Sequence, residues 1–131
     1  MSHTIRIMEN GGIHLEYEGI VTSKETSVTD AAIYNNPDHP LSRVPVIIAD
    51  FSKVDAIDIS YEQLRSAGIA DREILKNNPG LVFAVIAERD QAFGMARVWQ
   101  AFLDDLAPHS RIFRTLDEAQ TWLKSHKKLA S

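Results

Sequence analysis

The chain contains no cysteine, which removes disulfides, thiolate metal sites and cysteine nucleophiles from consideration. It also lacks a surplus of positive charge. Its 14 Lys and Arg are outnumbered by 18 Asp and Glu, for a net charge of −4, which argues against a nucleic-acid binder driven by phosphate contacts. The one basic concentration is Lys124, Lys127 and Lys128 near the C-terminus, where cations complement a helix dipole. No apolar run approaches the roughly 20 residues of a membrane span. The opening MSHTIRIMENGG has polar residues where a signal peptide needs an apolar core. A soluble, cytoplasmic protein without membrane insertion is the expectation.

Several chemical signatures are missing as well. There is no G-x-G-x-x-G, no P-loop pattern and no G-x-S-x-G elbow. The histidines, His3, His14, His39, His109 and His126, stand at no HxH or HxxxH spacing, so no metal site and no cofactor are expected. With no nucleophile–base pair readable, the chain does not read as an enzyme.

What is present is an ordinary globular mix, 44% hydrophobic and 24% charged over 131 residues, enough for one domain with one core spanning residues 1–131. Ile5–Met8 and Ile13–Tyr17 alternate apolar and polar residues around Asn10-Gly11, a hairpin signal. In the second run His14, Glu16 and Glu18 share one face, with Ile13, Leu15 and Tyr17 on the other. Val44–Ala49 and Leu81–Ala87 are continuous apolar runs, as expected of strands covered on both faces. Ile112-Phe113 makes a short last strand.

Three capping boxes mark helix starts, at Thr22–Glu25, Ser60–Gln63 and Thr115–Glu118. The first helix is expected to turn Val28, Ala31 and Ala32 inward. The second carries Leu64, Ala67, Gly68, Ile74 and Leu75, with close packing at Gly68. A further helix, N-capped by Asp90 and stopped by Pro108, places Met95, Val98, Trp99, Phe102 and Leu106 on one side and Arg97, Gln100 and Asp104 away from it. Ala119, Trp122 and Leu123 form the inner face of the last helix. The expected architecture is α/β, in the order ββαβαβαβα, with a mixed, mostly parallel sheet that opens in an N-terminal β-hairpin.

Function in such sheets tends to sit beyond the carboxyl ends of the strands. The polar stretch from Asp50 to Asp58 reads as the loop after the central strand. Its carboxylates, Asp50, Asp55 and Asp58, suit cation binding or acid–base work, and equally suit ordinary turn hydrogen bonds. Asp50, Ser52, Asp58, Ser60 and Tyr61 are the candidate binding or regulatory residues, with Arg97 on the outer side of its helix as a further contact.

The element order, with a D-x-S step after the central strand and a helix beginning at that serine, resembles the STAS domain of bacterial anti-sigma-factor antagonists and sulfate-transporter tails. The antagonist pattern, an apolar strand ending in Asp and then Asp-Ser-Ser-Gly, corresponds here to Ile47-Ile48-Ala49-Asp50 and Asp58-Ile59-Ser60-Tyr61. Tyr61 stands where the antagonists have Gly, and Ile59 replaces the first serine. Ile112–Ala119 with Trp122-Leu123, and Phe93–Arg97, resemble the SpoIIAA-like, or STAS/SEC14-like, branch.

The resemblance implies a non-catalytic regulatory module acting through a protein partner of the kinase or sigma-regulatory kind. It also implies a phosphorylation site at the serine matching Ser60. The SEC14 side implies instead a carrier for a small apolar, lipid-like or carboxylate-bearing ligand. A preformed apolar pocket of a few hundred cubic ångströms would mark the carrier, an exposed apolar patch the interaction module. The oligomeric state, a homodimer included, is open at the level of sequence.

Overall fold

The computed structural model describes residues 2–103 and 110–125. The expectations for Asp104, Leu106, Pro108, His109, His126, Lys127 and Lys128 fall outside the described residues. Five strands form one sheet in the order β1-β2-β3-β4-β5. They are β1 (Ser2–Ile7), β2 (Ile13–Thr22), β3 (Val46–Asp58), β4 (Val82–Ile86) and β5 (Ser110–Phe113). β1 and β2 pair antiparallel, and every other neighbouring pair is parallel. The helices are α1 (Ser23–Tyr34), α2 (Tyr61–Asn77), α3 (Asp90–Ala101) and α4 (Leu116–Lys124), with a short 3₁₀ turn at Leu41–Arg43. The order ββαβαβαβα is the one read from the sequence.

Because the parallel strands follow one another across the sheet in sequence order, crossovers of a single hand deliver α1, α2 and α3 to the same face. That face carries the larger core, with Ile13, Leu15, Tyr17, Ile47, Phe83, Leu75 and Leu103 buried. α4 follows the last strand and packs Ala119, Trp122 and Leu123 on the opposite face, against Val46, Ile48, Val82 and Ile86. β4 is therefore buried at all five positions, as its unbroken apolar run requires.

The hairpin turns where Asn10-Gly11 predicts, with Gly11 at a φ of +84°, a conformation glycine adopts without steric cost. The connection is longer than a two-residue turn. Ile7 pairs with Ile13, and Gly12 N donates to the Asn10 side chain at 2.8 Å.

The structure corrects several local expectations. β3 does not end at Ala49 but runs on to Asp58, paired with β2 as far as Thr22–Asp58. Beyond Asp50–Ile86, where the β3–β4 ladder stops, β2 and β3 continue as a two-stranded ribbon. The register shifts at Glu16/Glu18 and Gly19/Ile20, and such bulges break strict alternation. Val54 and Ile57 still reach the core, so the exposed Lys53, Asp55 and Asp58 beside them are the solvent side of a strand.

α1 turns Glu25, Thr29 and Ile33 inward and leaves Val28, Ala31 and Ala32 exposed. The reason is hydrogen bonding. Tyr17 on β2 donates to the Thr29 hydroxyl, which passes its own proton to Thr26 O at 3.0 Å, and Glu25 lies 3.1 Å from His3 Nδ1 on β1. On α3, Val98 is exposed and Gln100 ties the helix to β5 through Ser110 O. Asp90 is the first helical residue rather than the cap, and pairs with Arg114 at 2.8 Å. Ser60 makes the complete capping box with Gln63. Thr22 and Thr115 cap through their hydroxyls.

Candidate functional site

The sequence-derived candidates do not converge. Asp50 is buried within β3, on the sheet face opposite α1–α3, and Ser52 N donates to its Oδ1 at 2.9 Å. Asp58 is the exposed last residue of the same strand. Eight residues of strand at about 3.3 Å each put the two carboxylates on the order of 25 Å apart. Asp55 is exposed and lies 3.9 Å from Arg89. Ser60 and Tyr61 are exposed at the start of α2, and the Tyr61 ring meets Phe102 edge-on at 5.9 Å. Arg97 is exposed on α3.

Asp50 belongs instead to a polar cluster on β1, β2 and β3. The parallel register places Glu16 beside Asp50, and His14 Nε2 lies 3.2 Å from Asp50 Oδ2. Arg6 donates to His14 Nδ1 at 2.6 Å, which fixes the tautomer: Nε2 carries the proton and donates it to Asp50. Burial pushes the Asp50 carboxyl up, but the hydrogen bonds from His14 and Ser52 together outweigh it and hold its pKa below the ordinary value. His14, Glu16 and Asp50 each offer a ligand atom within 4.8 Å of the others. These atoms are already engaged, since Arg6 holds His14 and Lys53 donates to Glu16 at 3.1 Å. The cluster reads as a polar clamp of the hairpin onto β3, buried at His14 and Asp50. The sequence signal for it was His14 and Glu16 on one face of β2; the partner on β3 could be assigned only from register.

A second feature lies on the other face. Between α1, α2 and α3 and the sheet is a cavity of about 510 Å³, within the range of small-molecule sites. Its floor is Leu15, Ile47, Ala49, Phe51, Phe83 and Val85. Ser27 on α1 and Gln63, Ser66 and Ala70 on α2 are both lining and exposed, which places the opening between these two helices. Helix packing leaves this space because α2 faces it with small residues, Ala67 and Ala70, where larger ones would fill it.

A carboxylate organises the cavity wall. Asp71 on α2 is buried, and its two oxygens accept from Tyr34 on α1 (3.0 Å) and from the Trp99 indole on α3 (2.8 Å). One side chain thus joins three helices. Burial pushes the Asp71 carboxyl up, against the pull of those two donors. Asp30 on α1 also lines the cavity, and burial followed by the nearby Asp71 charge pushes it up to about 7. Burial raises the Tyr34 and Tyr17 phenols above their ordinary values, so both remain protonated donors. Asp30, Tyr34 and Asp71 were not singled out in the sequence, where they stand on separate helices with no motif between them. No helix among the described residues is long and apolar enough to cross a membrane.

Comparison with family models and with curated proteins finds no match. Among solved structures the chain is similar to the anti-sigma-factor antagonist SpoIIAA in its unphosphorylated form, with a TM-score of 0.57, 12% sequence identity, and coverage of 95% of this chain and 97% of that one. The chain has the SpoIIAA fold. At that identity the likeness is one of fold, and it agrees with the STAS-type architecture expected from the element order. In SpoIIAA-fold terms, the cavity lies on the three-helix face of the sheet, and Ser60 begins the helix that follows the central strand.

Proposed function

We propose that the protein is a non-catalytic binding module that houses a small, mainly apolar ligand between its helices and its sheet. The observation that carries this reading is the preformed cavity of about 510 Å³, floored by aliphatic and aromatic side chains and open between α1 and α2. Nile red, a neutral apolar dye, tests it on the full chain. Saturable 1:1 binding is expected, and Ala67→Phe, which fills the space from α2, should weaken it at least ten-fold. Non-saturable binding, or equal binding by the filled variant, would remove the reading.

A second reading, regulation through a protein partner, is supported by the SpoIIAA fold and by the exposure of Ser60 and Tyr61 at the head of α2. The two readings meet in one segment. Ile59, Glu62 and Gln63, which flank Ser60 and Tyr61, line the cavity. An occupant would bear directly on the surface offered to a partner, which is how a ligand biases a two-state contact.

A further inference from the structure

The ionisable groups that the described residues bring to the cavity wall are all acids. Among the described residues its titratable lining groups are Tyr17, Asp30, Tyr34, Glu62 and Asp71, and no described Lys, Arg or His joins them. Asp71 has its two donors, Tyr34 and Trp99, which explains its burial as a helix-joining group. They leave carboxylate lone pairs unused, since each oxygen has room for more than one donor. Asp30 has no such account. No ion pair or side-chain hydrogen bond engages it among the described residues, yet it lines the same cavity beside a second carboxylate. A carboxylate drawn partly out of water without a counter-charge is unfavourable, and none of the described residues of this wall supplies one.

We propose that the cavity takes an amphipathic amine: a ligand with an apolar body and one protonated nitrogen, whose ammonium lodges between Asp30 and Asp71. The proposal rests on the binding reading above and narrows it to a ligand class. An ammonium provides charge-assisted donors to both carboxylates, while the aliphatic floor takes the hydrocarbon. A fatty acid or phosphate ester in the same cavity would bring a third negative charge to Asp30 and Asp71 with no cation among the described lining residues to meet it. The raised carboxyls have a further consequence. An alkylammonium, with an ordinary pKa near that of lysine at about 10, stays charged from pH 5 to 8. Its arrival therefore drives protons off the carboxyls, and binding strengthens as pH rises. Tyr17 and Tyr34 stay neutral throughout that range, and Glu62, at the exposed rim, is the other acidic side chain among the described lining residues.

Calorimetric titration of the full chain with octylamine, 1-octanol and octanoate separates head group from chain. At pH 8 octylamine is expected to bind at least ten-fold tighter than 1-octanol, with octanoate weakest, and only the amine should lose affinity between pH 8 and pH 5. Asp30→Asn keeps the size of the side chain and leaves the Tyr34–Asp71 and Trp99–Asp71 hydrogen bonds intact; it should retain 1-octanol binding while losing most of the amine preference. Asp71→Asn, with the amide oxygen still able to accept from Trp99, should do the same. Nile red and 1-octanol binding with no preference for the amine would overturn the proposal and leave the cavity reading standing. Failure of Nile red and of all three octyl probes would overturn both. An amine preference that survives in both variants would also overturn it.

Discussion

Asp30 and Asp50 carry opposite signs in the acid stability of the molecule. In the folded chain Asp30 titrates at about 7, against an ordinary value of 3.8. Between those values the folded state holds a proton that the unfolded chain has released. Stability contributed by Asp30 therefore falls as pH rises through that window and is constant above it. Asp71, also raised by burial, acts in the same direction. Asp50 is held below its ordinary value, so its contribution is present above the usual carboxylate range and is lost as pH falls through the lowered pKa. Removing the Asp30 charge should show the first effect alone. Asp30→Asn is expected to raise the thermal midpoint at pH 8 by more than at pH 5, as read by circular dichroism in the absence of ligand. An equal shift at both pH values would mean that Asp30 is solvated like a surface carboxylate.

At the level of elements, the contact between α2 and the end of α3 depends on a missing side chain. A Cβ at Gly68 would stand 2.6 Å from Phe102 Cβ and 3.1 Å from the ring. Glycine within a helix costs about 1 kcal/mol relative to alanine, so at an exposed site the replacement would stabilise. Here the methyl group meets Phe102, and overpacking of this kind costs about 1–3 kcal/mol. Gly68→Ala is expected to lower the stability measured by urea denaturation, by about 1 kcal/mol net. A gain would show that α2 can move away from Phe102 at no cost. The β2–β3 ribbon follows the same logic of local exception. Gly19, at a φ of +73°, sits at the second register shift, where a residue of positive φ lets the strand continue past its bulge.

Across the whole molecule, burial is uneven. Every position of β4 is buried, whereas only Gly68, Asp71 and Leu75 are buried among the 17 residues of α2, because the cavity lies beneath that helix. Regions with fewer buried apolar contacts open at lower free energy. Native-state hydrogen exchange should therefore show the amides of β3 and β4 most protected and those of α2 less so. Occupation of the cavity by octylamine should slow exchange in α2, including its first turn after Ser60, since ligand bound only to the closed state stabilises it. Exchange in α2 that is unchanged by a saturating ligand would uncouple the cavity from the Ser60–Tyr61 surface.

Local chemistry was legible along the chain. The capping hydroxyls at Thr22, Ser60 and Thr115, the hairpin at Gly11, the division of β2 into an apolar and a polar face, and the doubly buried runs at Val46–Ile48 and Val82–Ile86 all depend on residues a few positions apart. Each follows from backbone sterics, side-chain reach or strand period. The inner face of α1 was not legible, because Thr29 is buried by a bond to Tyr17, 12 residues away and on another element. Nor was the extension of β3. Its polar residues resemble a loop until a neighbouring strand provides the ladder, and bulges hide the period of two. The cavity belongs to the same class. Asp30, Asp71 and Trp99 come together from α1, α2 and α3, and a space between elements has no sequence of its own. It exists because small residues on α2 meet large ones on the sheet at a separation that only the packed helices set.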